Sequence, residues 1–211
     1  WFLENLSEGG KNLYEVSKRT MDAVFAVVCA IPAIILTPFI ALAVKISSKG
    51  PVFFRQTRVG QLGHRFLIIK FRTMIANTPD GSAEAGTGAT WAQENDPRIT
   101  RVGKFLRKTR LDELPQLWNI LKGEMSFVGP RAERPEFHDQ LKNEIPFYEE
   151  RYLIKPGLTG WAQVQYRYGS SIKDAAEKLQ YDLFYIKHRS LILDFSIILK
   201  TINIVIRQGG R

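Results

Sequence analysis

Residues 23–44 form a run of 22 residues without a single charge, and two prolines, Pro32 and Pro38, lie inside it. At helical rise the run would extend ~33 Å, enough for a hydrocarbon core of ~30 Å. A single spanning helix is the simplest fate for such a segment. The prolines argue for another. Each removes a backbone donor and crowds the carbonyl four residues back, costing roughly 3 kcal/mol in a helix interior. Two of them, six residues apart, favour a sharp bend between two short arms, with the Thr37 hydroxyl placed to hydrogen-bond a freed carbonyl.

The flanking charges point the same way. Lys18 and Arg19 precede the run, and Lys45, Lys49, Arg55 and Arg58 follow it. Lysine and arginine favour the cytoplasmic face. A spanning helix puts one cluster on the wrong side, whereas a hairpin keeps both on one side. The expected topology is therefore a re-entrant membrane hairpin over residues 18–49, bent near Pro32, Thr37 and Pro38. A helix buried in a soluble core fits less well, because the run is apolar on every face. Residues 1–17 are polar and read as a lead-in or linker. Residues 50–211 are enough for one small catalytic domain. The fold class this predicts is α+β, mostly helical: a hairpin plus a cytosol-facing domain with short strands and amphipathic interfacial helices.

Thirty Lys and Arg against 21 Asp and Glu give a formal net charge of +9. That balance calls for an anionic partner: nucleic acid, anionic lipid or a phosphorylated small molecule. The absence of a recognisable DNA-binding motif, with basic residues spread along the chain, argues against nucleic acid. Cys29 is the only cysteine, so no disulfide framework exists, as in a reducing compartment. The chain opens at Trp1 rather than Met and reads as a fragment. The apolar run is too long for a cleavable signal peptide and lacks a small-residue cleavage site.

After the run, "PVFFRQTRVG" and "RFLIIKFRTM" read as two short strands around the turn "GQLG" at 60–63. "NTPDGSAEAGTGAT" (77–90) reads as a mobile loop, either a lid or a tolerated insertion. A turn and basic helix follow over 96–109, then a helix from Pro115 to Leu121 with Gly123 past its end. "RPEFHDQLKNEI" and "DAAEKLQYDLFYIKH" are amphipathic helices. The final "LILDFSIILKTINIVIRQGGR" can lie in a headgroup interface, pack on the protein's own core, or do both with opposite faces.

Chemistry concentrates at Asp112 and Glu113, which follow Arg107, Lys108 and Arg110 and precede Pro115. Acids near a helix start can simply complement its dipole. The same place also gathers backbone N–H groups that bind phosphate. A carboxylate there can attack a phosphoryl centre once cations offset charge repulsion. Lys70 and Arg72 alternate onto one side of the second strand, facing a phosphate cleft or lipid. Arg131 follows a Gly-Pro turn, with Arg134 nearby; arginine suits bidentate phosphate recognition, and a surface arginine in a turn is the commoner case. Gly157, Gly160, Trp161, Tyr166, Arg167 and Tyr168 suit a nucleotide-facing loop. His64, His138 and His188 lack metal-ligand spacing, and no Walker-type loop or G-x-S-x-G is present.

In order and spacing, "KRTMD", the apolar run, "GPVFFRQTRVG", "KFRTM", "NDPRITRVGKFLRKTRLDELPQLWNILKGEMSFVGPR" and "KPGLTGWAQV" resemble the bacterial sugar transferases, the monotopic phosphoglycosyl transferases. "RAERPEF" and "YDLFYIKHRSLILD" are most similar to the branch serving exopolysaccharide assembly. The resemblance implies transfer of a sugar 1-phosphate from a UDP-sugar to polyprenyl phosphate, with Mg²⁺ and an aspartyl-phosphosugar intermediate. It implies Asp112 as nucleophile, with Glu113 helping to hold Mg²⁺ and Asp112 beside it as the second metal residue. It implies Lys70, Arg72, Arg107, Pro130, Arg131, Gln163 and Arg167 on the substrates, and membrane lipid as a further partner. It implies a bacterial inner (cytoplasmic) membrane location, with the catalytic domain on the cytoplasmic face. A homo-oligomer stays open. Three positions depart from the family pattern. Ala132 replaces the second proline of a Pro-Arg-Pro motif, Gln165-Tyr166-Arg167 replaces an Asn-Gly-Arg run, and Pro32 and Pro38 flank the usual small-residue–proline pair. The competing reading is a non-catalytic membrane scaffold of a polysaccharide assembly complex.

Overall fold

The structure is a computed structural model that describes residues 8–84, 96–166 and 171–208. It is a mostly helical α+β fold. A long helix α1, Glu8–Ser47, contains both prolines and leads into an antiparallel hairpin of β1, Phe53–Val59, and β2, Arg65–Phe71. Next come α2, Arg101–Thr109, a 3₁₀ segment, Leu111–Gln116, and α3, Leu117–Lys122. β3, Ser126–Val128, pairs in parallel with β4, Gly157–Thr159, across α4, Pro135–Glu144, and a 3₁₀ turn at Tyr148–Tyr152. Helices α5, Trp161–Gln165, α6, Ile172–His188, and α7, Leu191–Gln208, complete it. The lead-in expected over residues 1–17 is helical and continuous with α1 from Glu8 onward.

α1 is long and apolar enough over Leu13–Ser47 to cross a membrane. One narrow stripe, Ala26, Ala33, Ile40 and Val44, is buried against the rest of the protein. Around it Val24, Val27, Val28, Ile31, Ile34, Ile35, Phe39 and Leu42 stay exposed. Small alanines let Leu117 and Ile120 of α3 approach closely, and Ile40 and Val44 pack with Phe71 and Leu106.

Both ends of α1 are tied to the same domain. Near the N-terminus, Arg19 donates to the Ile120 and Leu121 carbonyls at 2.6 and 2.7 Å, satisfying the end of α3. Asp22 accepts the Phe127 N–H at 3.1 Å, and Lys18 pairs with Asp194 of α7 at 2.7 Å. At the other end, Arg72 donates to the carbonyls of Val44, Ser48, Lys49 and Pro51. Lys18 and Arg19, read from sequence as topology charges, are thus docking contacts. Within the apolar part, Thr37 Oγ1 donates to the Ala33 carbonyl at 2.8 Å. That is the acceptor four residues back from Thr37 itself, not the Ile34 carbonyl that Pro38 leaves free.

The β1–β2 hairpin runs in register from Phe53↔Phe71 to Val59↔Arg65. Its turn needs positive φ at Leu62 and Gly63, which explains the Gly-rich "GQLG". The short β3–β4 pair has no strand-like signature of its own. Gly157 makes it feasible: a Cβ there would sit 2.1 Å from the Gly129 nitrogen and 2.3 Å from the Thr159 carbonyl oxygen. The glycine read from sequence as part of a nucleotide-facing loop is therefore a site of close backbone packing.

Candidate active site

α2 is capped by Thr100, whose side chain accepts from the Gly103 N–H at 2.9 Å. It ends at Arg110, held in the left-handed region at φ 59°. That reversal starts the 3₁₀ segment, which packs its leucines on the clusters around Phe71 and Ile120. Asp112, Glu113 and Gln116 are buried within it. Sequence reading put the acids at the start of a regular helix with free N–H groups for phosphate. The structure replaces this with a six-residue 3₁₀ turn, too short for a helix-end anion site. Pro115 and the turn at Arg110 account for the tighter winding. The anion-attracting part of the site is instead made of cations.

Three residues per turn place Glu113 and Gln116 on one face, and both line a narrow cleft with Arg58, Lys70, Arg131 and Ala132. Lys70 of β2 donates to Glu113 Oε1 at 2.7 Å, and Arg110 approaches the same oxygen at 4.0 Å. Burial would push the Glu113 carboxyl up, but Lys70, Arg131 and Arg110 outweigh it and hold Glu113 at about 2. Asp112 goes the other way. Burial and the adjacent Glu113 charge raise it to about 6, against the pull of Lys70, Arg107 and Arg110. Its Oδ1 is buried without a hydrogen-bond partner. The pair is thus split into a permanently ionised acid locked by lysine and a neighbour with a free oxygen.

The cations themselves are crowded. Burial, then the charge of Arg131, lowers the Arg58 guanidinium to about 10. Burial also lowers Lys70, with Arg131 adding to the effect and Glu113 opposing it. Arg58 donates to the Ala132 carbonyl at 3.1 Å and to Gln56 at 2.6 Å, leaving Nε buried and unpartnered. Half-buried cations lowered further by the neighbouring Arg131 mark a site short of negative charge. Arg58 and Gln116 are the residues that sequence reasoning missed. Arg58 was counted there only among the flanking membrane charges. Its signal was its register on β1, opposite Phe66 and on the hairpin that carries Lys70.

Of the expected substrate residues, Lys70 and Arg131 line this cleft and Arg107 acts on Asp112 through its charge. Arg131 is exposed at the mouth. Its carbonyl is held by Arg151 Nη2 at 3.1 Å, and Arg151 is fixed by Asp182 at 2.8 Å and Tyr148 at 2.6 Å. Pro130 is buried and works through its backbone, its carbonyl accepting the Gly157 N–H at 2.9 Å. Gln163 reaches the Leu158 carbonyl at 3.4 Å and keeps a buried, unpartnered Oε1. Arg72 is not brought to the site. It lies just past β2, and its donors are taken by the carbonyls at the end of α1. Arg134 holds Glu84 through two contacts of 2.8 Å. Trp161 stacks on Phe184 under Lys200, and Tyr166 bonds Asp174 at 2.8 Å, so both aromatics pack on α6 and α7. Arg167 and Tyr168, with the latter part of the 77–90 loop, lie outside the described residues.

Among the described residues no three His, Cys, Asp or Glu side chains cluster as a metal site. Asp112 still fits a hard cation: a buried carboxylate oxygen without a partner, beside a second ionised carboxylate, is the oxygen donor set such ions take.

The fold and cleft define a domain with one helix long and apolar enough to cross a membrane, carrying a split carboxylate pair among cations. A family model described as bacterial sugar transferase matches residues 13–208. The chain belongs to that family. It is 45% identical to the UDP-N-acetylgalactosamine-undecaprenyl-phosphate N-acetylgalactosaminephosphotransferase of Aeromonas hydrophila, a match covering 94% of this chain and 45% of that protein. It is 42% identical to the UDP-glucose:undecaprenyl-phosphate glucose-1-phosphate transferase of Xanthomonas campestris pv. campestris, covering 97% of this chain and 42% of the relative. The Escherichia coli (strain K12) protein of the same description is 41% identical over 88% of this chain and 39% of its own length. The chain spans less than half the length of these three relatives.

Proposed function

We propose that the chain is a phosphoglycosyl transferase catalytic unit, moving a sugar 1-phosphate from a UDP-sugar to polyprenyl phosphate with release of UMP. The observation that carries this reading is Asp112: a buried carboxylate with an unpartnered oxygen, ringed by cations. Lys70, Arg58 and Arg131 would receive the diphosphate, whose charge relieves their mutual repulsion. Asp112 Oδ1 attacks the sugar-bearing phosphorus, the bond to the bridging oxygen breaks, and UMP leaves with that electron pair. A phosphate oxygen of the polyprenyl acceptor then attacks the same phosphorus and returns the carboxylate of Asp112. Glu113, already ionised and held by Lys70, keeps the second negative charge from accepting the phosphoryl group itself. Bound through Asp112 and Glu113, Mg²⁺ would supply neutralisation of the transferring phosphates.

The acceptor's tail cannot leave lipid, so the acid must work at headgroup depth. We infer that α1 enters and leaves the same face of the cytoplasmic membrane, with the catalytic domain in the cytoplasm. Support comes from the docking of both α1 ends on one polar domain. A crossing helix would drag that charged surface into hydrocarbon. Over Leu13–Ser47 a straight helix would also reach ~52 Å, well beyond a ~30 Å core.

The test is donor labelled in the sugar phosphate, offered without acceptor. Wild type should carry the label on the protein and release UMP, while Asp112→Asn should do neither. Turnover by Asp112→Asn close to wild type would remove Asp112 as nucleophile, and wild type that releases no UMP would favour the scaffold.

A further inference from the structure

A second cavity, of about 330 Å³, shares no lining residue with the cleft and falls within the ~300–1,000 Å³ typical of ligand sites. It is walled by Tyr14, Lys18 and Arg19 of α1, by Lys155 before β4, and by Tyr185 and Arg189 at the α6–α7 corner. Most of its charges are already matched. Lys18 is held by Asp194 and Arg189 by Glu15 at 2.5 Å, whereas Asp22 takes only the neutral Phe127 N–H and its charge acts on Lys155. Two cations remain. Arg19 bonds only neutral carbonyls, which leave its charge uncompensated. Lys155 has no hydrogen-bond or ion-pair partner among the described residues. Both converge on the end of α3: Arg19 Nη2 and Lys155 Nζ each lie 3.5 Å from where a Cβ on Gly123 would stand. Burial, then Arg19, lowers the Lys155 ammonium against the pull of Asp22 and Glu15.

The cavity's depth is set by its walls. Its α1 residues, Tyr14 to Asp22, are the two turns immediately before the uncharged run. Its other edge begins α7, whose Leu191, Ile192, Phe195, Leu199, Ile202 and Ile206 are exposed along one face. Apolar surface for lipid thus flanks a cationic hollow on both sides, which is where phosphate headgroups sit.

We propose that this cavity binds the phosphate of a lipid headgroup, with Lys155 and Arg19 as its counter-charges. The proposal rests on α1 lying in lipid, but not on the chemistry at Asp112. The phosphate belongs either to an anionic phospholipid or to the polyprenyl phosphate, and the same experiment separates them. The full chain is placed in nanodiscs of phosphatidylcholine alone, with added phosphatidylglycerol, or with added polyprenyl phosphate. Lipid retained on release is read by native mass spectrometry. Wild type and Lys155→Arg should keep one anionic lipid, and Lys155→Met should keep about tenfold less at an unchanged unfolding midpoint. Retention of phosphatidylglycerol makes this a phospholipid site. Preference for polyprenyl phosphate makes it a holding site for the acceptor. Equal retention by Lys155→Met, or equal retention of phosphatidylcholine, overturns the proposal. UMP release in the absence of acceptor should stay at the wild-type level in Lys155→Met. Wild type that retains the lipid but releases no UMP would sink the proposed reaction and leave this site standing.

Discussion

Asp194 and Asp112 are both buried carboxylates with a lysine close by, yet they sit in opposite environments. Asp194 is fully enclosed and fully satisfied: Lys18 at 2.7 Å, Tyr14 at 3.1 Å and Tyr185 at 2.6 Å use both oxygens. It joins α1 to α6 and α7 and offers nothing to a substrate. At Asp112 the nearest lysine is given to Glu113, one oxygen has no partner, and burial raises the group to about 6. A satisfied buried charge holds a fold together, and an unsatisfied one stores reactivity at the expense of stability.

The sharpest way to break this contrast is to neutralise each acid in place. Asp112→Asn should lower steady-state turnover by about 10⁴-fold, as for loss of a covalent nucleophile. It should also make the protein more stable. The folded Asp112 prefers its proton, so its contribution to stability is present below the ordinary value of 3.8 and is lost as pH rises to about 6. At neutral pH the asparagine escapes that loss, a gain on the order of 2–3 kcal/mol in chemical unfolding. A destabilised Asp112→Asn would remove the idea that this carboxylate is unsatisfied. Asp194→Asn should do the reverse. It leaves Lys18 buried without its counter-charge, costing about 3–5 kcal/mol, with phosphoryl transfer per folded molecule largely kept.

The position of Arg131 supplies the next test. Arg151→Lys keeps a charge opposite Asp182 but loses the fork that also reaches the Arg131 carbonyl and Tyr148. kcat/KM for the UDP-sugar should fall ~10–100-fold, through KM more than kcat if Arg131 binds the diphosphate in ground and transition states alike. Equal kinetics at equal folded fraction would show that the Arg131 loop does not need this support. A smaller effect is expected from pH. Protein labelling by donor should rise as pH climbs through about 6, where Asp112 ionises. Lys70→Met removes a cation that favours that ionisation, so the profile should move up by about one pH unit. An unmoved profile would assign it to another group.

The sequence made the chemistry more legible than the geometry. Asp112, Glu113, Lys70 and Arg131 stood out because ionisable types clustered around short motifs, and the hairpin around Gly60–Gly63 was marked by alternation and glycines. What stayed hidden was decided by contacts between distant segments. Arg58 and Lys70 meet only because the β1–β2 register folds them over the 3₁₀ segment. Arg72 shares Lys70's alternation but falls one residue past β2, where the end of α1 captures it. β3 and β4 are three residues each, too short for periodicity, and exist through the Gly129–Gly157 approach. Lys18 and Arg19 stood out by their charge but not by their docking contacts, since a cation's bond to a carbonyl 101 residues away is invisible locally.

The finest probe of the α1 arrangement is Thr37. Its hydroxyl shares the Ala33 carbonyl just before Pro38 removes a backbone donor. Such back-bonding tilts a helix, and it should act with Pro38 rather than alone. Thr37→Val should therefore change stability by less than ~1 kcal/mol, leaving reagent access at cysteines introduced for Thr20 and Lys49 on one membrane face. Pro32→Ala with Pro38→Ala restores both helix donors and removes the steric reason to bend. In that double variant the two cysteines should begin to report on opposite faces in a fraction of molecules, and acceptor-dependent turnover should fall with that fraction. If both variants leave access and turnover unchanged, the docking contacts of Arg19 and Arg72 alone hold the two ends of α1 on one side, and the prolines only ease a path the domain already imposes.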